Sequence, residues 1–427
     1  MFKKLFSEHY STLKYLLRWL VITIPVAIAI GSMVALFLWL LSLAIHYRFA
    51  HTWLLYLLPV AGILIHFLYK WYGASAEKGN NLIIDEIHQP GAGVPKRMAP
   101  LILVTTVITH LFGGSAGREG TAVQIGGSIA NFFAGLFKLA GADRQVLLTT
   151  GIAAGFGAVF GTPLTGAIFA LEVISIGRIR YNALLPCLIA GLVGDLTVSA
   201  WNVHHTQYHI DYVNAGQNFN GHHIPLSLLL LAKVVVAAAI FGLVSYAFAK
   251  AVHIVKNIGI KIFKTGWITP LCGGIIIILL TLILGKPDYL SLGVDAEYPG
   301  AVTIVSAFQQ GGADALSWLW KLIYTSITLG TGFKGGEVTP LFYIGATLGN
   351  TLAGILDAPV SLFAALGFIA VFAGATNTPL ACTIMGIELF GSQHALLFAV
   401  ACFVAYYFSG NSGIYSAQRS SGSKISA

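Results

Sequence analysis

The chain has 427 residues, of which 56% are hydrophobic and only 9% charged, with a mean hydropathy of +0.80. A soluble domain carries about 25% charged residues, so a water-soluble globular protein is excluded for want of polar surface. The net charge of +8 is spread over short basic clusters, a pattern that reports membrane topology and argues against a nucleic-acid partner.

In chain order, Lys3, Lys4, Lys14 and Arg18 precede a charge-free run that lasts to Arg48. The run is too long for a signal-peptide core and no clear small-residue cleavage site follows, so residues 1–49 are expected to be an uncleaved N-terminus and first membrane helix. Further runs without Asp, Glu, Lys or Arg lie between Arg144 and Glu172, between Lys264 and Lys286, from Ala358 to Ile387 and from Leu389 to Gln418. Each is long enough for the roughly 20 apolar residues of a spanning helix. The 48 glycines and 14 prolines fall inside these runs as well as between them. The expected fold is therefore an all-α integral membrane protein with many short, tilted or broken helices, whose freed backbone groups neighbouring helices satisfy.

Other basic clusters are Arg178 and Arg180, then Lys250, Lys256, Lys261 and Lys264, then Arg419 and Lys424, whereas residues 201–223 hold no Lys or Arg. The positive-inside rule places the clusters and both termini in the cytoplasm, in a multi-pass protein of the cell's inner membrane, and the His-rich stretch outside. Cys187, Cys272, Cys382 and Cys402 stand far apart in apolar stretches and read as packing residues.

An internal repeat organises the chain. Gly117-Arg-Glu-Gly-Thr121, with Gly126 and Asn131, recurs 219 residues later as Gly336-Glu-Val-Thr-Pro340, with Gly345 and Asn350. Gly151, Thr162-Pro-Leu164 and Glu172 recur 216 residues later as Gly367, Thr378-Pro-Leu380 and Glu388. The reading divides the chain into a first repeat at 50–200, an external His-rich linker at 201–226, a second repeat at 227–410 and a C-terminal pore segment with cytoplasmic tail at 411–427. Repeats of this kind hold substrate at their interface, between helix N-termini that point inward.

The strongest site candidate is the 117–121 segment. It follows an apolar run and opens a helix, whose N-terminus presents free N–H groups and partial positive charge to an anion. Gly117 and Gly120 let the backbone approach closely, and Arg118 adds charge. Glu119 is then a tethered competitor for the anion, able to leave when protonated; the plainer reading is a residue that pairs with Arg118 or caps its helix. In Gly335-Gly336-Glu337-Val338-Thr339-Pro340, proline sits at a helix start and amides near Val338 and Thr339 face an ion. Glu337 is either a proton shuttle or an N-terminal cap. Asn80, in Gly79-Asn80-Asn81-Leu82-Ile83, is an uncharged amide donor or a plain cap, and Tyr415 is a phenol aimed at the pore or an interfacial tyrosine. Glu172 and Glu388 are expected to satisfy broken-helix amides. Asp85, Glu86 and His88 are read as a solvated or capping face, and His204, His205, His209, His222 and His223 as a wet polar loop.

These segments resemble the CLC chloride channel/transporter family over residues 20–417. GREGT is similar to the family's G-K/R-E-G-P segment and GGEVTP to its G-x-F-x-P segment. The resemblance puts Glu119 on the gating glutamate and Tyr415 on the pore tyrosine, and implies two inverted-topology repeats, cytoplasmic termini and a homodimer. Gly91-Ala-Gly-Val-Pro95 looks like the first filter motif but lies too close to Glu119; Gly79-Asn80-Asn81 is at the right distance and puts Asn80 on the filter serine. Asn80, Thr121 and Glu337-Val338-Thr339 depart from chloride carriers and resemble the fluoride/proton antiporter branch. The family's inner proton-transfer glutamate falls on Val173, which leaves Glu337 as its replacement.

The resemblance implies export of fluoride against entry of protons, with no cofactor and no enzymatic activity. Rival readings are a chloride/proton exchanger or anion channel of the same family, and an intramembrane metal enzyme using Glu119, Glu337 and histidines. The last is disfavoured because the sequence has no HExxH or nucleophile motif.

Overall fold

The computed structural model describes residues 2–213, 217–219, 222–224, 227–263, 265–420 and 424. Those residues form fifteen α-helices. The first eight are α1 (Phe2–Ala50), α2 (Leu58–Leu68), α3 (Asn80–His88), α4 (Met98–Leu111), α5 (Glu119–Leu136), α6 (Gly141–Phe160), α7 (Pro163–Glu172) and α8 (Leu184–Ala200). After the linker come α9 (Leu228–Ile262), α10 (Ile268–Leu284), α11 (Ser317–Gly330), α12 (Val338–Leu356), α13 (Val360–Thr376), α14 (Pro379–Phe390) and α15 (Ala395–Phe408). Short strands also occur: Ser175–Ile176 pairs in parallel with Arg419–Ser420, and Gln217–Phe219 pairs antiparallel with His222–Ile224.

Four helical stretches are long and apolar enough to cross a membrane: Leu13–Ala50, Thr52–Lys78, Tyr181–Ala200 and Leu228–Ile262. Two charge-free runs that look like single spans are each two helices. Gly161, at φ 70°, ends α6 in the left-handed conformation, and Pro163 starts α7. In the second half Asn377, at φ 58°, ends α13 and Pro379 starts α14. A left-handed residue closes a helix and a proline at the first turn opens one without losing a hydrogen bond, so each run breaks at the same place.

The breaks are tied together across the halves. Glu172, at the end of α7, accepts from Leu380 N at 3.1 Å and Ala381 N at 2.8 Å, in the first turn of α14. Glu388 in α14 accepts from Leu164 N at 2.9 Å and Thr165 N at 2.7 Å, in the first turn of α7. Each carboxylate satisfies free amides of the other half's helix, as expected from their repetition. Contacts that exchange in this way are what a two-fold axis generates. Glycines set the spacing within each half. A Cβ on Gly126 of α5 would lie 2.1 Å from Gly151 O of α6, and one on Gly345 of α12 would lie 2.0 Å from Gly367 O of α13. Only hydrogen fits at these crossings.

Helix α1 packs on α6 and α8 as α9 packs on α13 and α15.

One reading of a polar segment needs correction. Glu86 does not face solvent: it is buried, pairs with Arg144 at 3.3 Å, and accepts from Gly91 N and Gly93 N at 2.9 Å each. His88 Nε2 hydrogen bonds Ile174 O at 2.8 Å. The loop at 91–95 is thus fastened to α3. The linker up to residue 213 exposes His204 and His209, as a wet polar loop would, but it is anchored to the helices beneath it. Tyr208 is packed among Phe308, Phe368 and Phe390, Asp211 N donates to Ser361 Oγ at 3.1 Å and His394 Nε2 to Tyr212 O at 3.0 Å. Aromatic burial is its anchor, invisible in a polar composition. The side chains of His222 and His223, and residues 421–423 and 425–427 of the tail, lie outside the described residues.

Candidate functional site

The two glycine segments that recur in sequence meet in space. Gly117 N donates to Gly336 O at 2.6 Å, and Gly336 N donates to Gly117 O at 2.7 Å, an isolated antiparallel bridge between the halves. A Cβ on Gly336 would come within 2.8 Å of Gly120 N, and one on Gly120 within 3.1 Å of both Gly336 Cα and Asn80 Nδ2. Side chains here would separate the halves, so the sequence carries glycine on both sides. The N-termini of α5 and α12 are thereby held tip to tip, with their free amides directed at one small volume.

Glu119 fills that volume. It is the first residue of α5 and is fully buried. Its carboxylate accepts from Arg118 N at 3.0 Å and from Thr339 N, in the first turn of α12, at 3.1 Å. The Thr339 hydroxyl donates to its other oxygen. Arg118 Nε stands 3.8 Å away, so pairing with Arg118 is a looser contact than those amides. A negative charge in a buried site is stable only with such donors around it. Val338, first residue of α12, is buried beside them.

The remaining predicted residues border this point. Asn80 opens α3 with its amide nitrogen against Gly120, while its Oδ1 is buried without a hydrogen-bond partner. Glu337 immediately precedes α12, and its side chain makes no capping hydrogen bond to that helix. Tyr415 is buried. Thr121, which stands where the family motif has proline, shares a hydrogen bond with Thr106 at 2.7 Å.

Tyr415 is positioned by a tether of residues that spacing did not single out. Ile414 N donates to Ala375 O at 2.9 Å, and Ala417 N to Asn81 Oδ1 at 3.0 Å. Gln418 Nε2 donates to Thr376 O at 2.7 Å and Val173 O at 2.9 Å. Val173 is buried, so the position of the missing inner glutamate holds no titratable group, and its carbonyl anchors the tail instead.

Beyond Glu119 lies a cavity of about 20 Å³, lined by Glu119, Thr339, His205, Tyr208 and a trio of phenylalanines, Phe160, Phe342 and Phe368. It has room for one water-sized particle. Arg118, Thr206 and Val294 also border a second cavity of about 290 Å³, with Asn202, His204 and Asp295. The linker residues His205, Thr206 and Tyr208 thus roof the site. Their only sequence signal was the aromatic in a polar stretch. Among the described residues no group of three His, Cys, Asp or Glu side chains is placed to hold a metal ion.

Broken helices joined tip to tip around a buried carboxylate make this a polytopic membrane protein that exposes helix ends to a small ion. The family described as voltage gated chloride channel matches residues 61–410. A protein of Pseudomonas syringae pv. tomato named as a chloride/fluoride channel protein is 46% identical over 417 residues, covering 98% of this chain and 90% of that one. The crystal structure of a CLC-type fluoride/proton antiporter superposes with a TM-score of 0.87 at 33% identity, covering 95% of this chain and 98% of that one. The structure of a slow cyanobacterial chloride/proton antiporter superposes with a TM-score of 0.77 at 20% identity, over 93% and 96% of the two chains, a likeness of fold. The chain belongs to the voltage gated chloride channel family, and its fold is the CLC type with two inverted repeats.

Proposed function

We propose that this protein exports fluoride from the cytoplasm in exchange for protons. The observation that carries the reading is the Glu119 carboxylate seated on Thr339 N–H and O–H, where an anion at two helix tips would sit. The 46% identical relative named for chloride and fluoride, and the structural likeness to a fluoride/proton antiporter, support the choice of ion.

Fluoride is small and strongly hydrated, so stripping its water is costly unless strong donors replace it. The amides near Val338 and Thr339, the Asn80 amide and the Tyr415 hydroxyl are such donors; Gly117 and Gly120 keep the backbone close, and Arg118 draws the anion outward. While ionised, Glu119 competes for the same donors and closes the path. Protonation cancels its charge, weakens its hold on the amides and frees them for fluoride, so anion and proton take turns. Glu337 serves as the second proton carrier, because Val173 offers none. Protons entering down their gradient then drive fluoride out.

The protein is read as a homodimer with one path per subunit, in the inner membrane, with both termini cytoplasmic and the 201–226 linker outside. Vesicles loaded with fluoride test the reading. A fluoride electrode should record efflux that accelerates when the outside is acidified, with protons moving inward. Chloride leaving as fast as fluoride would favour a chloride exchanger. Efflux indifferent to pH would favour a channel.

A further inference from the structure

Away from the Glu119 site, a cavity of about 530 Å³ opens between the ends of α2, α9, α10 and α11. Its lining includes His66, Lys70, Lys256 and Lys334, with Glu77 as the single acid. Lys334 is half-buried, with Nζ 4.2 Å from the centre of the Tyr69 ring. Among the described residues, Lys70, Lys256 and Lys334 form no ion pair or hydrogen bond with a protein acceptor. Three lysines and one carboxylate, Glu77, line this space, so it carries a net positive charge that favours an anion.

The rim fixes the depth of this space. Trp71, Tyr72 and Trp267, close in sequence to the lining residues Lys70 and Gly266, are exposed, and tryptophan and tyrosine gather at the headgroup level of a bilayer. The exposed lysines 250, 256 and 261 on α9 crowd the same end of the molecule. Basic pockets between membrane helices at this level are suited to phosphate-bearing headgroups. We propose that this cavity is a binding site for a phosphate group, held by Lys70, Lys256 and Lys334. An anionic phospholipid and soluble phosphate share that chemistry. The walls also lead into the ion site: the turn at Ala74–Lys78 continues to Asn80, and Lys334 continues to Glu337. A ligand here would touch both feeding segments at once.

The test uses the purified full chain, incubated with equal amounts of phosphatidylglycerol and phosphatidylcholine and read by native mass spectrometry. Wild type should retain phosphatidylglycerol in preference. Lys70 and Lys256 are exposed, so a Lys70→Gln/Lys256→Gln variant should keep the fold, and its preference should fall about 5-fold for each lysine removed. Lys261→Gln, exposed but outside the lining, should bind as wild type does. If inorganic phosphate alone displaces the lipid and raises thermal stability in wild type but not in the double variant, the site's occupant is soluble phosphate. Equal retention of both lipids with no response to phosphate would overturn the proposal. So would a double variant that binds like wild type, or a Lys261→Gln loss as large as the double variant's.

Discussion

The Thr339 hydroxyl offers a graded test of how Glu119 is held. Valine has the same shape as threonine, so Thr339→Val keeps the backbone N–H that reaches Glu119 at 3.1 Å and removes only the hydroxyl donor. A hydrogen bond to a charged group contributes roughly 1.5–3 kcal/mol net. Since about 1.4 kcal/mol is tenfold in an equilibrium, losing this bond should shift Glu119 toward the displaced position by about 10- to 150-fold. The carboxylate would then leave its seat more often without a proton. In vesicles monitored with a fluoride electrode and a pH dye together, Thr339→Val should move fewer protons per fluoride than wild type, and Thr339→Ser should recover the ratio. The ratio is the proper readout, because overall turnover also responds to the loss of a donor for fluoride. An unchanged ratio in Thr339→Val would refute the claim that this hydroxyl helps hold the gate.

Three further perturbations follow from the packing and the site. Glu172→Ala strands the amides of Leu380 and Ala381, the second of them buried. At roughly 1–3 kcal/mol for each amide left unsatisfied, thermal stability in detergent should fall clearly. Glu388→Ala should also cost stability, because it strands the amide and hydroxyl of the fully buried Thr165 together with the exposed Leu164 amide; an unchanged melting temperature in either variant would contradict the assignment. Gly126→Ala places a methyl 2.1 Å from Gly151 O, and overpacking at about 1–3 kcal/mol should lower the melting temperature, whereas Gly135→Ala, with open space around it, should not. Asn80→Ser removes the amide that lies against Gly120 and should lower fluoride efflux relative to chloride; an unaltered ratio would take Asn80 out of the selectivity site.

Much of this was legible in the sequence because the halves repeat. The recurrence of Gly117 as Gly336 and of Glu172 as Glu388 marked positions that the fold joins directly, through a glycine bridge and exchanged carboxylate contacts. Repetition of glycine signals backbone approach, and repetition of a carboxylate near a proline-started helix signals amides in need of acceptors. What could not be read was any contact outside the repeated positions. Glu86 looks like a surface residue until Arg144 and the amides of Gly91 and Gly93 close around it. The linker reads as polar, and the packing of Tyr208 among three phenylalanines lays it over the site. Gln418, which carries Tyr415 into place, lies in a Ser-rich tail whose composition gives no hint of a tether.

The central claim is that one carboxylate occupies the seat of the anion and carries its proton. Glu119→Gln keeps the size of the side chain while removing its charge and its capacity to titrate. Measured in vesicles for fluoride and protons together, this variant should lose proton movement coupled to fluoride. Proton transport at the wild-type ratio in Glu119→Gln would contradict the account.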